Sequence, residues 1–316
     1  MKIVSLEQIK GVLPSIDAMA DIEQGFVDYS QGRSVVPPVG ELILAEKHGD
    51  VHIKYGYIKG DDFYVIKIAS GFYDNHKHGL PPGNGMMLVF SQETGQPEAI
   101  LVDEAYLTDV RTAVAGAISA KYLAPTDVTR IGIAGTGNQA RMQLEYLKPV
   151  TDCRKVLLWG RDAAKFAAYV DDMSAHGFEV ETTTNANDLL ESCNLIVTTT
   201  TATEPLLTGK AQPGTHITAM GSDTLDKQEL NAAILAAADL VVADSIPQCL
   251  ERGEIYQALK TDSIQQADLV ELGSIIAGDA SGRTTEEQVT IADLTGVAVQ
   301  DIQISKAVYD AIRKHS

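Results

Sequence analysis

Arg130-Ile131-Gly132-Ile133-Ala134-Gly135-Thr136-Gly137-Asn138-Gln139-Ala140-Arg141 is the stretch from which the fold can be read. A short apolar run leads into Gly-x-Gly-x-x-Ala and then into a helix-prone segment, Ala140 to Leu147. This order predicts a buried parallel strand, a tight turn, and a helix whose first turn points free N–H groups at an anion. Gly135 permits the turn, Gly137 lets backbone approach a pyrophosphate, and Ala140 lets the helix lie close on the strand. Glycine turns are common, so the motif taken alone fits a plain structural turn equally well. Its setting favours dinucleotide binding, because short apolar runs recur downstream at the spacing of alternating strands and helices.

Those runs are Arg130–Ala134, Lys155–Trp159, Glu179–Thr182, Leu195–Thr199, Thr215–Met220 and Leu240–Ala243, with helical segments such as Ala163–Ala175 and Glu229–Ala237 between them. Six parallel strands with right-handed crossovers make a doubly wound Rossmann domain. A strand-like Val289–Ala292 and a terminal helix from about Val299 to Arg313 follow.

Upstream, the pattern differs. A short strand, Lys2 to Ser5, precedes an amphipathic helix at about Ile16 to Tyr29, and Pro37-Pro38 breaks the chain. The runs Glu41–Ala45, Val51–Ile58, Phe63–Ala69, Met86–Phe90 and Glu98–Asp103 then read as a largely antiparallel meander, open or partly closed. Tyr106–Leu123 is a helix rich in small residues, ended by Pro125. The expected fold is α/β: a Rossmann domain over 125–298, and a smaller β-rich α+β domain over 1–124 with 299–316 packing back on it.

The balance of 45% hydrophobic and 22% charged residues over 316 positions is that of a soluble globular protein. A net charge of −18 argues against nucleic acid or an anionic membrane as partner. Cys153, Cys193 and Cys249 have no metal or disulfide spacing, and the seven histidines show none either; His76-Lys77-His78 reads as an exposed loop. No metal is expected. With neither a signal-type N-terminus nor a run of transmembrane length, a cytoplasmic location is expected.

Four sites carry chemistry. Strand Lys155–Trp159 ends at Gly160-Arg161-Asp162, where an acidic residue ordinarily accepts from the ribose 2′-OH of NAD. A guanidinium there suits a 2′-phosphate, so NADP(H) is preferred and NAD(H) is the alternative, with Asp162 on the ribose. Thr199 and Gly221 end later strands on the side where ligands of open sheets bind. Asp223 follows Gly221, placed to move a proton at a substrate nitrogen or, alternatively, to cap a helix near Leu225. Arg111 in the small-residue helix and Lys67 in an apolar strand are cations in unusual places. A carboxylate-binding site explains both at once, while a structural ion pair or solvent explains each singly.

With these residues in view, the chain resembles the ornithine cyclodeaminase/μ-crystallin family, which includes archaeal-type alanine dehydrogenases and ketimine reductases, over almost its whole length. The stretches that carry the likeness are Tyr106–Ala113, Gly135–Ala140, Gly221-Ser222-Asp223-Thr224 with Lys227-Gln228-Glu229-Leu230, and Asp293–Ala298. The resemblance implies that Lys67 and Arg111 bind a substrate carboxylate, with Lys67 and Asp223 in the catalytic set. It implies that Gly135, Thr136, Gly137, Asn138, Gln139 and Ala140 cradle a pyrophosphate and that Gly296 lies near the nicotinamide. It also implies a homodimer built through the β-rich domain. Two departures argue against ornithine as substrate. Pro37-Pro38 is followed by Val39-Gly40-Glu41 where many members have an arginine, and Asn84, a candidate substrate ligand, replaces a threonine. The function implied is NAD(P)H-dependent reduction of an imino acid or cyclic ketimine carboxylate. The alternatives are a cyclodeaminase-type lyase with bound NAD, and a non-catalytic cofactor-binding protein of crystallin type.

Overall fold

In the computed structural model, which describes residues 1–314, the chain divides into two compact units: residues 1–112 with 297–314, and residues 113–296. In the first, β1 (Lys2–Ser5) runs into α1 (Leu6–Val12), where the Ser5 side chain and Gln8 form a reciprocal capping box. Asp17 caps α2 (Ala18–Ser30) by accepting from the Ala20 N–H. Strands β2 (Ser34–Val35), β3 (Gly40–Leu44), β4 (Gly49–Ile58), β5 (Phe63–Phe72), β6 (Gly83–Ser91) and β7 (Pro97–Val102) follow, then the start of α3 (Tyr106–Leu123), which continues from residue 113 in the second unit.

The sheet order is β1-β7-β6-β5-β4-β2, with β3 also on β4. Every pairing is antiparallel except β1 with β7, as a meander requires. The C-terminal helix, Ala298–Lys314, packs on α2 and on β4 and β5. Alternation along the strands sends Ile58, Val65, Met87 and Leu101 under it, and Phe63 meets Tyr309 edge to face.

The second unit contains β8 (Ile131–Ala134), α4 (Asn138–Leu147), β9 (Lys155–Trp159), α5 (Phe166–Ala175), β10 (Glu179–Thr183), α6 (Asn187–Ser192), β11 (Leu195–Thr198), β12 (His216–Ala219), α7 (Ala232–Ala236), β13 (Leu240–Ala243), α8 (Ile246–Cys249), α9 (Gly253–Lys260), β14 (Leu269–Glu271), α10 (Leu272–Ala277) and β15 (Thr290–Asp293). All its strands are parallel, in the order β10-β9-β8-β11-β12-β15-β13-β14. The sheet thus has eight strands, not the six read from the sequence. The run near Val289 is β15, inserted between β12 and β13, and β14 is only three residues long, too short to show a period. The helix expected from Glu229 forms only over Ala232–Ala236, because Glu229 and Leu230 are held in side-chain bonds described below. No helix among the described residues is long and apolar enough to cross a membrane.

Candidate active site

The glycine turn closes as its sequence requires. Gly135 has φ +123°, a value L side chains rarely adopt, and a Cβ on it would sit 2.6 Å from the Thr199 hydroxyl. Gly137 is the N-cap of α4, with no side-chain cap and open space where a Cβ would go. The first turn, from Asn138, Gln139 and Ala140 onward, therefore begins beside backbone that a ligand can approach closely. The Arg141 guanidinium braces the turn by donating to the Thr136 and Gly137 carbonyls at 2.7 and 3.2 Å. Ala140 is fully buried, and its carbonyl accepts the Tyr169 hydroxyl at 2.7 Å. These features fit a dinucleotide pyrophosphate.

The next strand tip lies against this turn. A Cβ on Gly160 would meet the Thr136 methyl at 2.7 Å. Arg161 is exposed, while the Asp162 carboxylate is engaged as a local cap on the Ala164 N–H at 3.1 Å. On the other side of β11 and β12, beyond the end of β15, Gly296 (φ +83°) donates its N–H to the buried Asp244 carboxylate at 2.6 Å.

Between them, the tips of β11 and β12 are joined by Glu229, which is fully buried. Its carboxylate accepts from the Thr198 hydroxyl at 2.7 Å, the Thr200 N–H at 2.6 Å and the Gly221 N–H at 2.9 Å. Glu254, also buried, accepts from the Ser222 hydroxyl and from the Glu229 and Leu230 N–H groups at 2.7 and 3.0 Å. Burial pushes both acids up, and Glu254, with Glu229 adding to the effect, reaches about 7. Asp223 projects from the loop so held. It caps no helix, since residues 221–230 are irregular; its carboxylate accepts from the Lys227 ammonium at 2.6 Å.

The other candidates belong to the first unit. Lys67 and Arg111 are 2% and 7% exposed, and both face one carboxylate, that of Asp301. Asp301 lies 3.4 Å from the Lys67 ammonium and 3.1 Å from Arg111 Nε, while Arg111 also donates to the Gln300 amide oxygen at 3.1 Å. Asp103 lies close by. Its carboxyl takes the Leu107 N–H at 2.9 Å, and burial, then the Asp301 charge, raises its pKa. Glu104 and Ala105, next in the chain, both have positive φ (53° and 68°), backbone strain beside these charges. Asn84 does not join them. Strand alternation puts it on the sheet face opposite Lys67, exposed, with its amide oxygen on the Gly85 N–H at 2.8 Å.

The sequence did not disclose Asp301, Glu229 or Glu254 as members of these clusters. Asp301 sits in a helix where an acid in the first turn reads as dipole compensation. The two glutamates carry no local signal, because their partners lie 8 to 32 residues away.

The ornithine cyclodeaminase/mu-crystallin family model matches residues 2–316. The chain is 32% identical to iminosuccinate reductase of Paracoccus denitrificans, covering 100% of this chain and 97% of that one. An archaeal alanine dehydrogenase, solved as a dimer with bound NAD, superposes with a TM-score of 0.91 at 31% identity, covering 100% of this chain and 97% of the other. Thermococcus litoralis Δ1-pyrroline-2-carboxylate reductase, in complex with NADH and L-proline, gives 0.92 at 26% identity over 100% and 98%.

Proposed function

The chain belongs to the ornithine cyclodeaminase/mu-crystallin family, and from that premise we propose that it is a nicotinamide-dependent oxidoreductase. It reduces an imino acid or cyclic ketimine carboxylate to the amino acid. The relatives support the reaction class, being an iminosuccinate reductase, a pyrroline-2-carboxylate reductase and an alanine dehydrogenase. The observation that carries the reading here is the burial of Lys67 and Arg111 around a single carboxylate, Asp301. A guanidinium and an ammonium buried side by side form the kind of cationic pair that a substrate carboxylate binds, with the cost of their burial offset by the anion.

In this reading, residues 1–124 with 299–316 form the substrate-binding and dimerisation domain, and residues 125–298 the cofactor domain. Lys67 and Arg111 grip the substrate carboxylate; Arg111 brings a planar fork and Lys67 a point charge, which together fix the acid group's orientation. Asp223 delivers the proton that the substrate nitrogen gains as C=N becomes C–N, and Lys227 holds that carboxylate in place. Gly135, Gly137 and the first turn of α4 hold the pyrophosphate, with Thr199, Gly221 and Gly296 along the same sheet edge. A reduced nicotinamide, when bound, supplies the hydride. NADPH is the preferred form, because Arg161 stands exposed while Asp162 is spent on a local cap.

The test is consumption of NADPH and NADH with pyrroline-2-carboxylate, piperideine-2-carboxylate and iminosuccinate. Turnover of at least one is expected. Proline and ammonia formed from ornithine without net cofactor change would make the protein a lyase, and cofactor binding with neither activity would make it a binding protein.

A further inference from the structure

We propose that the cleft between α2 and the C-terminal helix binds a small organic cation, a primary ammonium on a short alkyl chain, at Asp21 and Gln303. The cleft shares no lining residue with the Lys67, Arg111 and Asp301 cluster, so it is a second site of the first unit.

Its volume is about 470 Å³, in the range of roughly 300–1,000 Å³ usual for small-molecule sites. Asp21 and its neighbour Asp17 line one wall from α2, and Gln303, Lys306 and Asp310 line the other from the C-terminal helix.

Gln303 is the residue that points to a ligand. It is only 7% exposed, yet its side-chain amide meets no hydrogen-bonding partner among the described residues. Its stem is pressed onto α2 where that helix carries a glycine: a Cβ on Gly25 would lie 2.9 Å from Gln303 Cγ. The amide end is therefore the part left to line the cleft. A buried amide is ordinarily paired, and a ligand in the cleft supplies the missing partner.

Asp21 gives the ligand its sign. This half-buried carboxylate has no side-chain hydrogen bond or ion pair among the described residues. Burial first, then the Asp17 charge, raises its pKa, and Asp310 adds to the effect. Lys306 opposes them only in part, since its ammonium is held by Asp61. Lys314, which also lines the cleft, is exposed in the last helical turn. A bound cation offsets the repulsion among the three aspartates. A metal ion is the wrong cation, because no group of three His, Cys, Asp or Glu among the described residues is placed to hold one. A primary ammonium instead brings three N–H donors to the carboxylate and the amide oxygen, and its alkyl chain suits the apolar surface of Ile16 and Ala307.

The experiment is calorimetric titration of the full chain with butylammonium chloride at an ionic strength fixed with NaCl. Saturable binding of one ion per chain is expected. Tetramethylammonium, which has the charge but no N–H, is expected to bind at least about tenfold more weakly. Asp21→Asn is expected to weaken butylammonium by about tenfold or more, and so is Gln303→Met, which keeps the stem on Gly25 but loses the amide. Asp62→Asn, an exposed acid outside the cleft, is expected to change nothing. The absence of saturable binding, equal affinity for tetramethylammonium, unchanged affinity in either cleft variant, or an equal loss in Asp62→Asn overturns the proposal. Binding is read without substrate, so this result and that of the reductase assay are separate.

Discussion

Glu229 and Gly221 are joined across the loop that carries Asp223: the Glu229 carboxylate accepts the Gly221 N–H at 2.9 Å. The same carboxylate reaches the Thr200 N–H, so one side chain ties two neighbouring strand ends. Position 221 admits only glycine in this arrangement, because a Cβ there would lie 2.2 Å from the Thr200 carbonyl oxygen and 2.5 Å from Glu229 Oε2. Gly221→Ala is expected to cost at least about 2 kcal/mol by overpacking against backbone. Glu229→Gln, which turns an NH2 toward N–H donors, is expected to cost roughly 3 kcal/mol. Urea denaturation checks both, and losses under about 0.5 kcal/mol, the scale of ordinary surface substitutions, would show that the join carries no weight.

The neighbouring Glu254 gives the protein a pH signature. Burial first, then the Glu229 charge, raises its carboxyl to about 7 from an ordinary 4.5. An acid that holds its proton more tightly when folded stabilises fully below its unfolded pKa. That contribution is lost as pH rises through the folded one. Stability is therefore expected to fall between pH 4.5 and about 7, by roughly 3 kcal/mol from this group. In Glu254→Gln that slope is expected to flatten, as measured by urea midpoints across the range; an identical slope would remove Glu254 as its source.

The parts of this architecture legible in the sequence were those with local signals. The 131–134 strand, its glycine turn and the helix after it announce themselves within a dozen residues, and small residues with a terminal proline delimit Tyr106–Leu123. Lys67 and Arg111 stood out because each is a cation in an apolar setting. What stayed hidden depends on long-range partners. The place of β15 inside the sheet is set by pairing with β12 and β13, not by its own four residues. Asp301 acquires meaning only when the last helix is laid on the first unit. Asn84 was a candidate only by resemblance; its face depends on register, and its pairing with Ser70 puts it opposite the cations.

The proposed NADPH preference is tested at Arg161, which is exposed beside a Gly160 that cannot carry a side chain without striking Thr136. Arg161→Ala is expected to weaken NADPH by about tenfold or more while changing NADH by less than about threefold, since only the former offers a phosphate to the guanidinium. Fluorescence titration of both nucleotides measures this, and equal losses would mean that Arg161 does not read the 2′-phosphate.

The face of the first unit's sheet opposite Lys67 is apolar and partly bare: Leu42 is 59% exposed, Met86 38% and Tyr55 37%. Such a patch on an antiparallel sheet suits a second copy of the chain. Leu42→Glu with Met86→Glu is expected to convert a homodimer to monomers by light scattering, with the glycine-turn unit still binding cofactor. A wild type that is monomeric, or a double variant that stays dimeric, would place the interface elsewhere.

Asp223 is the group asked to move a proton, and Lys227 is asked only to hold it, at 2.6 Å. Asp223→Asn keeps the shape and removes the acid, so kcat is expected to fall by about 10²–10⁴-fold with cofactor affinity near normal. Lys227→Met is expected to lower kcat less, since the carboxyl remains but loses its anchor. Because Lys227 acts through Asp223, the two effects are not expected to add: in the Asp223→Asn background, Lys227→Met should change kcat by less than about twofold. Full additivity would give Lys227 a separate task, and an undiminished rate in Asp223→Asn would move the proton donor to another side chain.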